Sequence, residues 1–73
     1  MRHWLRELRN NQGMTQQDVA ALVGTAKAVI SQWESGTRRP GYDKMVRLAE
    51  VLGPEVHEHF AEEARARQDG RVA

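Results

Sequence analysis

Gln16-Gln17-Asp18-Val19-Ala20-Ala21-Leu22-Val23-Gly24-Thr25-Ala26-Lys27-Ala28-Val29-Ile30-Ser31-Gln32-Trp33 is the stretch on which the fold turns. It reads as two short helices with only Gly24 and Thr25 between them. Just before it, Thr15 offers a hydroxyl as N-cap, with Asp18 three residues on in capping-box spacing. The first of these helices then runs from Gln16 to Val23 and is expected to bury Val19, Ala20, Leu22 and Val23. Gly24 stands where a helix commonly ends in the left-handed conformation, which costs Gly least. Thr25 restarts the chain at once, giving a helix over about 25–35. Ile30 and Trp33 lie three apart on its inner side, Ala26 is behind them, and Gly36 is the next stop. Two helices joined this tightly cannot lie antiparallel. They must cross steeply, so the residue at the crossing has to be small, and Ala20 sits there, four residues before Gly24.

On the N-terminal side, Met1, Trp4, Leu5 and Leu8 recur at three- and four-residue steps. They form one stripe of a helix that leaves Arg2, Arg6 and Arg9 elsewhere and ends near Asn10, Asn11 and Gly13. On the C-terminal side, Pro40 and Gly41 open a fourth helix carrying Tyr42, Met45, Leu48, Ala49 and Leu52 at the same steps. Gly53-Pro54 closes it and opens a fifth, to roughly Gln68, with Val56, Phe60 and Ala64 four apart. No period-2 alternation of useful length occurs, and no repeat or low-complexity segment. The expected fold is all-α, a compact five-helix domain. Residues 1–53 form its main unit, 54–68 a C-terminal helix and 69–73 a frayed tail.

A chain of 73 residues makes one small domain. Such a chain buries only about 60% of its unfolded surface and is often helped by a disulfide, a metal or a partner subunit. With no cysteine, a disulfide and a thiolate zinc site are excluded, so a partner subunit is the leading supplement. The longest apolar run, Val19 to Val23, is far short of the ~18–20 residues of a membrane span. Charges stand near the N-terminus where a signal peptide has its apolar stretch, so a cytoplasmic protein is expected. The net charge of +1 divides unevenly. Residues 1–53 hold eight basic and five acidic residues (+3), and residues 54–73 hold three and five (−2). That asymmetry is compatible with a body that faces phosphates and a tail that faces elsewhere.

Catalysis and metal chemistry find little support. The two serines, Ser31 and Ser35, fall on the third helix, and no Gly-rich phosphate loop follows a strand. His57 and His59 are two apart and face different sides of a helix. His57-Glu58-His59-Phe60-Ala61 also fails the zincin pattern, which needs a second His where Ala61 stands. No enzyme activity, metal or cofactor is expected.

Several landmarks stand at matching spacing: Leu5-Arg6-Glu7-Leu8-Arg9, Gly13-Met14-Thr15-Gln16, Val19-Ala20, Gly24, Ile30-Ser31-Gln32-Trp33-Glu34, Gly36, Pro40, Leu48-Ala49 and Leu52-Gly53. Together they resemble the helix-turn-helix of the Xre family, the phage Cro and repressor type, over about residues 4–53. The resemblance implies a lambda-repressor-like domain, bacterial or phage-encoded, that binds double-stranded DNA and regulates transcription as a repressor. Helix three would be the recognition helix. Its residues not claimed by the core, Lys27, Ala28, Ser31, Gln32 and Ser35, form one outward face that can enter a major groove.

Taken singly, Lys27 and Gln32 are what any solvated surface carries. By resemblance, Lys27, Ala28 and Gln32 match base readers of related repressors, with Ser31 beside them. Gln32 can grip adenine N6 and N7, Lys27 can donate to guanine O6 or N7, and Ala28 can touch a thymine methyl. Gln16 matches a position that contacts the DNA backbone. Thr25 and Ala26 are expected to offer backbone N–H groups to phosphates, and Ser35, Thr37, Arg38 and Arg39 to lie along the sugar-phosphate chain. Arg38 and Arg39 read equally as solvated loop charges. Arg9 and Glu34 match a structural ion pair of the family. Phe60, with Val56 and Ala64, either covers the bottom of the core or meets a second copy. A homodimer on two-fold half-sites is expected, because one recognition helix reads only about 4–6 base pairs. The alternative is a protein-interaction module or antitoxin-like partner that keeps the fold and binds a protein through helix five.

Overall fold

The computed structural model describes the backbone of residues 1–72 and the side chains of residues 1–66. Its helices are α1 (His3–Asn11), α2 (Gln16–Val23), α3 (Lys27–Ser35), α4 (Tyr42–Leu52) and α5 (Glu55–Val72), with no strand among the described residues. The start of α2 is fixed by a closed capping box. Thr15 Oγ1 accepts from the Asp18 N–H at 3.0 Å, and Asp18 Oδ2 accepts from the Thr15 N–H at 3.0 Å. Its end is fixed by Gly24, whose φ of +85° lies in the left-handed region and whose N–H bonds Ala20 O at 2.9 Å.

α3 begins two residues later than the sequence suggests. The Thr25 N–H also bonds Ala20 O, at 2.9 Å, so Thr25 belongs to the closure of α2. Ala26 is extended (φ −91°, ψ 152°) and serves as N-cap.

α2 packs on α3 and α4, α1 on α3, and α5 on α4. The shared core holds Leu5, Val19, Ala20, Val23, Ile30, Trp33, Leu48, Ala49, Leu52, Val56 and Phe60. Ala20 is 0% exposed, as the crossing of α2 with α3 requires. Leu22 is not in the core: it is 48% exposed. At 100° per residue it points about 200° away from Ala20. Tyr42, at the first position of α4, and Met1, ahead of α1, are also exposed.

α5 closes the base of the core. Phe60 is 2% exposed and meets Trp4 edge to face at 5.1 Å, while His59 stacks on the same indole at 4.3 Å. This burial gives Phe60 a core-covering role in the single chain. The expected frayed tail at 69–73 lies outside the described side chains.

Candidate nucleic-acid interface

Lys27, Ala28, Ser31, Gln32 and Ser35 are all exposed on α3, within an arc of about 140°. Ile30 and Trp33, on the opposite side, are 2% and 3% exposed and anchor the helix in the core. Among the described residues, no acceptor meets the backbone N–H of Ala26, Lys27 or Ala28, nor those of Gln16 and Gln17 at the start of α2. Both helices of the motif therefore present unused donors at their positive ends, the arrangement that suits phosphate. Thr25 does not add to them through its N–H, which is bonded to Ala20 O.

A buried carboxylate ties the motif together. Glu34, 6% exposed, accepts from Arg9 Nε at 2.6 Å and Nη2 at 3.2 Å, and from Gln16 Nε2 at 3.1 Å. Arg9 Nη1 also donates to Met14 O at 3.0 Å. One carboxylate thus joins the end of α1, the start of α2 and the inner side of α3. The fork geometry of Arg suits the bidentate pairing. Gln16 keeps one amide N–H beyond its bond to Glu34, so its side chain is oriented while still able to donate outward.

The loop after α3 is ordered by its own polar groups. Ser35 Oγ donates to Gln32 O at 3.1 Å and lies 2.7 Å from Thr37 Oγ1. Arg38 Nη1 donates to Gln32 Oε1 at 3.2 Å, so a loop cation holds a side chain of the reading face. Arg39 goes another way, its guanidinium standing 5.7 Å from the Phe60 ring centroid. The guanidinium groups of these two adjacent residues thus take different partners.

Three cations to which the sequence analysis assigned no role also take part. Neither α2 nor α3 has a basic residue in its own last turn. Lys44 Nζ donates to Gly24 O at 3.0 Å and Arg47 Nε to Leu22 O at 3.2 Å, so α4 supplies cations to the negative end of α2. Arg2, placed off the apolar stripe by its spacing, is 6% exposed and donates through Nη1 to Trp33 O at 2.6 Å. The missing cations in both last turns were the available sequence signal, but it does not say which residue supplies them.

No helix of the described residues is long and apolar enough to cross a membrane. A helix-turn-helix family model matches residues 5–56. The chain is 36% identical over 53 residues to YqaF of Bacillus subtilis (strain 168), described as an uncharacterised HTH-type transcriptional regulator. That match covers 73% of this chain and 70% of the relative. No solved structure matches it. With α2 and α3 joined through Gly24 and the outer face of α3 left free, the chain belongs to the Xre-type helix-turn-helix family of DNA-binding transcription regulators.

Proposed function

We propose that the protein is a sequence-specific repressor that inserts α3 into the major groove and blocks transcription by occupying its operator. The observation that carries this reading is the free outer face of α3 flanked by unused N–H donors at the starts of α2 and α3. Lys27, Ala28, Ser31 and Gln32 read base edges. The N–H of Ala26, the outward amide N–H of Gln16, and Ser35, Thr37 and Arg38 hold phosphates. Two copies on two-fold half-sites one helical turn apart supply the affinity and site length that a single α3 lacks. The operating compartment is the cytoplasm, where DNA is met.

Selection of bound duplexes from random-sequence DNA tests this reading. A recovered motif with two related halves is expected, and recovery of no common motif would reject sequence-specific binding. Log affinity should also fall linearly with log salt, with a slope near −0.9 per neutralised phosphate.

A second reading draws on the exposed acidic side chains Glu55, Glu58 and Glu62 of α5, which suit a basic partner protein. In that case the selection yields nothing, while a partner co-purifies and is released by Glu58→Lys with Glu62→Lys.

A further inference from the structure

Arg2 makes an unusual number of bonds for a residue at the edge of a small domain. Its backbone N–H donates to Glu34 O at 2.7 Å. Its Nη1 donates both to Trp33 O at 2.6 Å and to Arg38 O at 2.7 Å. Its Nε meets Glu63 Oε2 at 2.9 Å and Oε1 at 3.2 Å, and its guanidinium stands 5.1 Å from the Phe60 ring centroid. Three elements therefore converge on one side chain: the last turn of α3, the loop after it, and α5.

The carbonyls involved are those that a helix leaves without partners at its C-terminus. Gln32 O is already met by the N–H groups of Gly36, Thr37 and Arg38. Trp33 O and Glu34 O are met by Arg2. The positive guanidinium also lies at the negative end of the α3 dipole. Arg38, whose carbonyl Arg2 holds, sends its own side chain back to Gln32 Oε1 at 3.2 Å on the outer face. A continuous path thus runs from Glu63 on α5 through Arg2 and Arg38 to Gln32.

We infer that Arg2 is a positioning residue for DNA reading, clamping the C-terminal turn of α3 and the Arg38 loop to α5. The inference rests on α3 being the reading helix. It makes the docking of α5, through Glu63, part of what sets the pose of Gln32. Lys at position 2 keeps the charge but cannot make the same fork of bonds, because its three donors share a single nitrogen.

The test uses the full chain with Arg2→Lys, Glu63→Gln and, as a control, Glu7→Gln, whose side chain is exposed on α1. Amide hydrogen exchange is measured in the free protein at Gly36, Thr37 and Arg38 and compared with that in α2. Discrimination is measured between a duplex recovered by selection and an unrelated duplex of the same length. Arg2→Lys and Glu63→Gln should speed exchange at the three amides by about tenfold over any change in α2, the size of one lost charge-assisted bond. They should also lower discrimination by about tenfold, while Glu7→Gln alters neither. Unchanged exchange at the three amides overturns the clamp. A uniform rise in exchange over all helices with discrimination intact makes Arg2 merely structural and overturns the positioning role. If the unaltered chain does not discriminate between the duplexes, the proposed function fails and the DNA role of Arg2 fails with it, while the exchange result still shows whether the clamp exists.

Discussion

Gln32 occupies the outer face of α3 but is not a free side chain, since Arg38 Nη1 holds its Oε1 at 3.2 Å. Removing Gln32 and removing Arg38 should therefore not be independent. With Gln32 and Lys27 as the proposed base readers, Gln32→Ala and Lys27→Ala are expected to relax base preference by about 1–3 kcal/mol. Competition between single-base variants of a selected site measures this. Arg38→Ala should weaken binding to every sequence and also erode the preference that Gln32 sets, so a double-mutant cycle between the two should be non-additive. Glu34 belongs to a different class. Its carboxylate is buried against Arg9 and Gln16, so Glu34→Ala leaves the Arg9 guanidinium without compensation and should cost about 3–5 kcal/mol of stability in urea unfolding. The pair was legible because both residues match their family positions. The bond from Gln16 to the same carboxylate was not, because it depends on where α2 places a side chain in space.

Among the helices, α2 was the most legible, since both its ends are written locally. Thr15 and Asp18 reciprocally cap its start, and Gly24 closes it in a left-handed conformation. Thr15→Ala should cost about 1 kcal/mol, within the usual span of N-cap losses. Gly24→Ala should cost about 1–3 kcal/mol because a side chain is forced to φ +85°, and thermal unfolding separates this from any effect on DNA. The start of α3 was less legible. Thr25 looks like a restart, yet its N–H is drawn back to Ala20 O, so the turn is longer than two residues. Leu22 shows the same limit for burial. The apolar run at 19–23 gave no reason to exclude it, but only one face of α2 meets α3 and α4. Leu22→Ser should therefore shift stability by no more than about 0.5 kcal/mol, whereas Leu48→Ala, at a fully buried site, should cost about 2–5 kcal/mol.

At the scale of the whole molecule, α5 is what makes this short chain a closed domain. Val56 and Phe60 are 0% and 2% exposed, and without them the side of the core formed by Trp4 and Leu52 would meet water. Phe60→Ala is expected to lower stability by about 3–5 kcal/mol, which denaturant unfolding checks. Composition had pointed to a partner subunit as the missing support for a cysteine-free chain of 73 residues. Within the chain, cations distant in sequence, Arg2, Lys44 and Arg47, meet carbonyls at the ends of α2 and α3. The sequence by itself determined the five-helix order, the tight joint at Gly24 and the outward face of α3, because apolar periodicity, capping and left-handed glycine act over a few residues. Tertiary structure alone decided that Phe60 is core, that Leu22 is surface and that Arg2 is buried. Each of those outcomes depends on which elements meet across 20 or more residues of chain, and no local spacing carries that information.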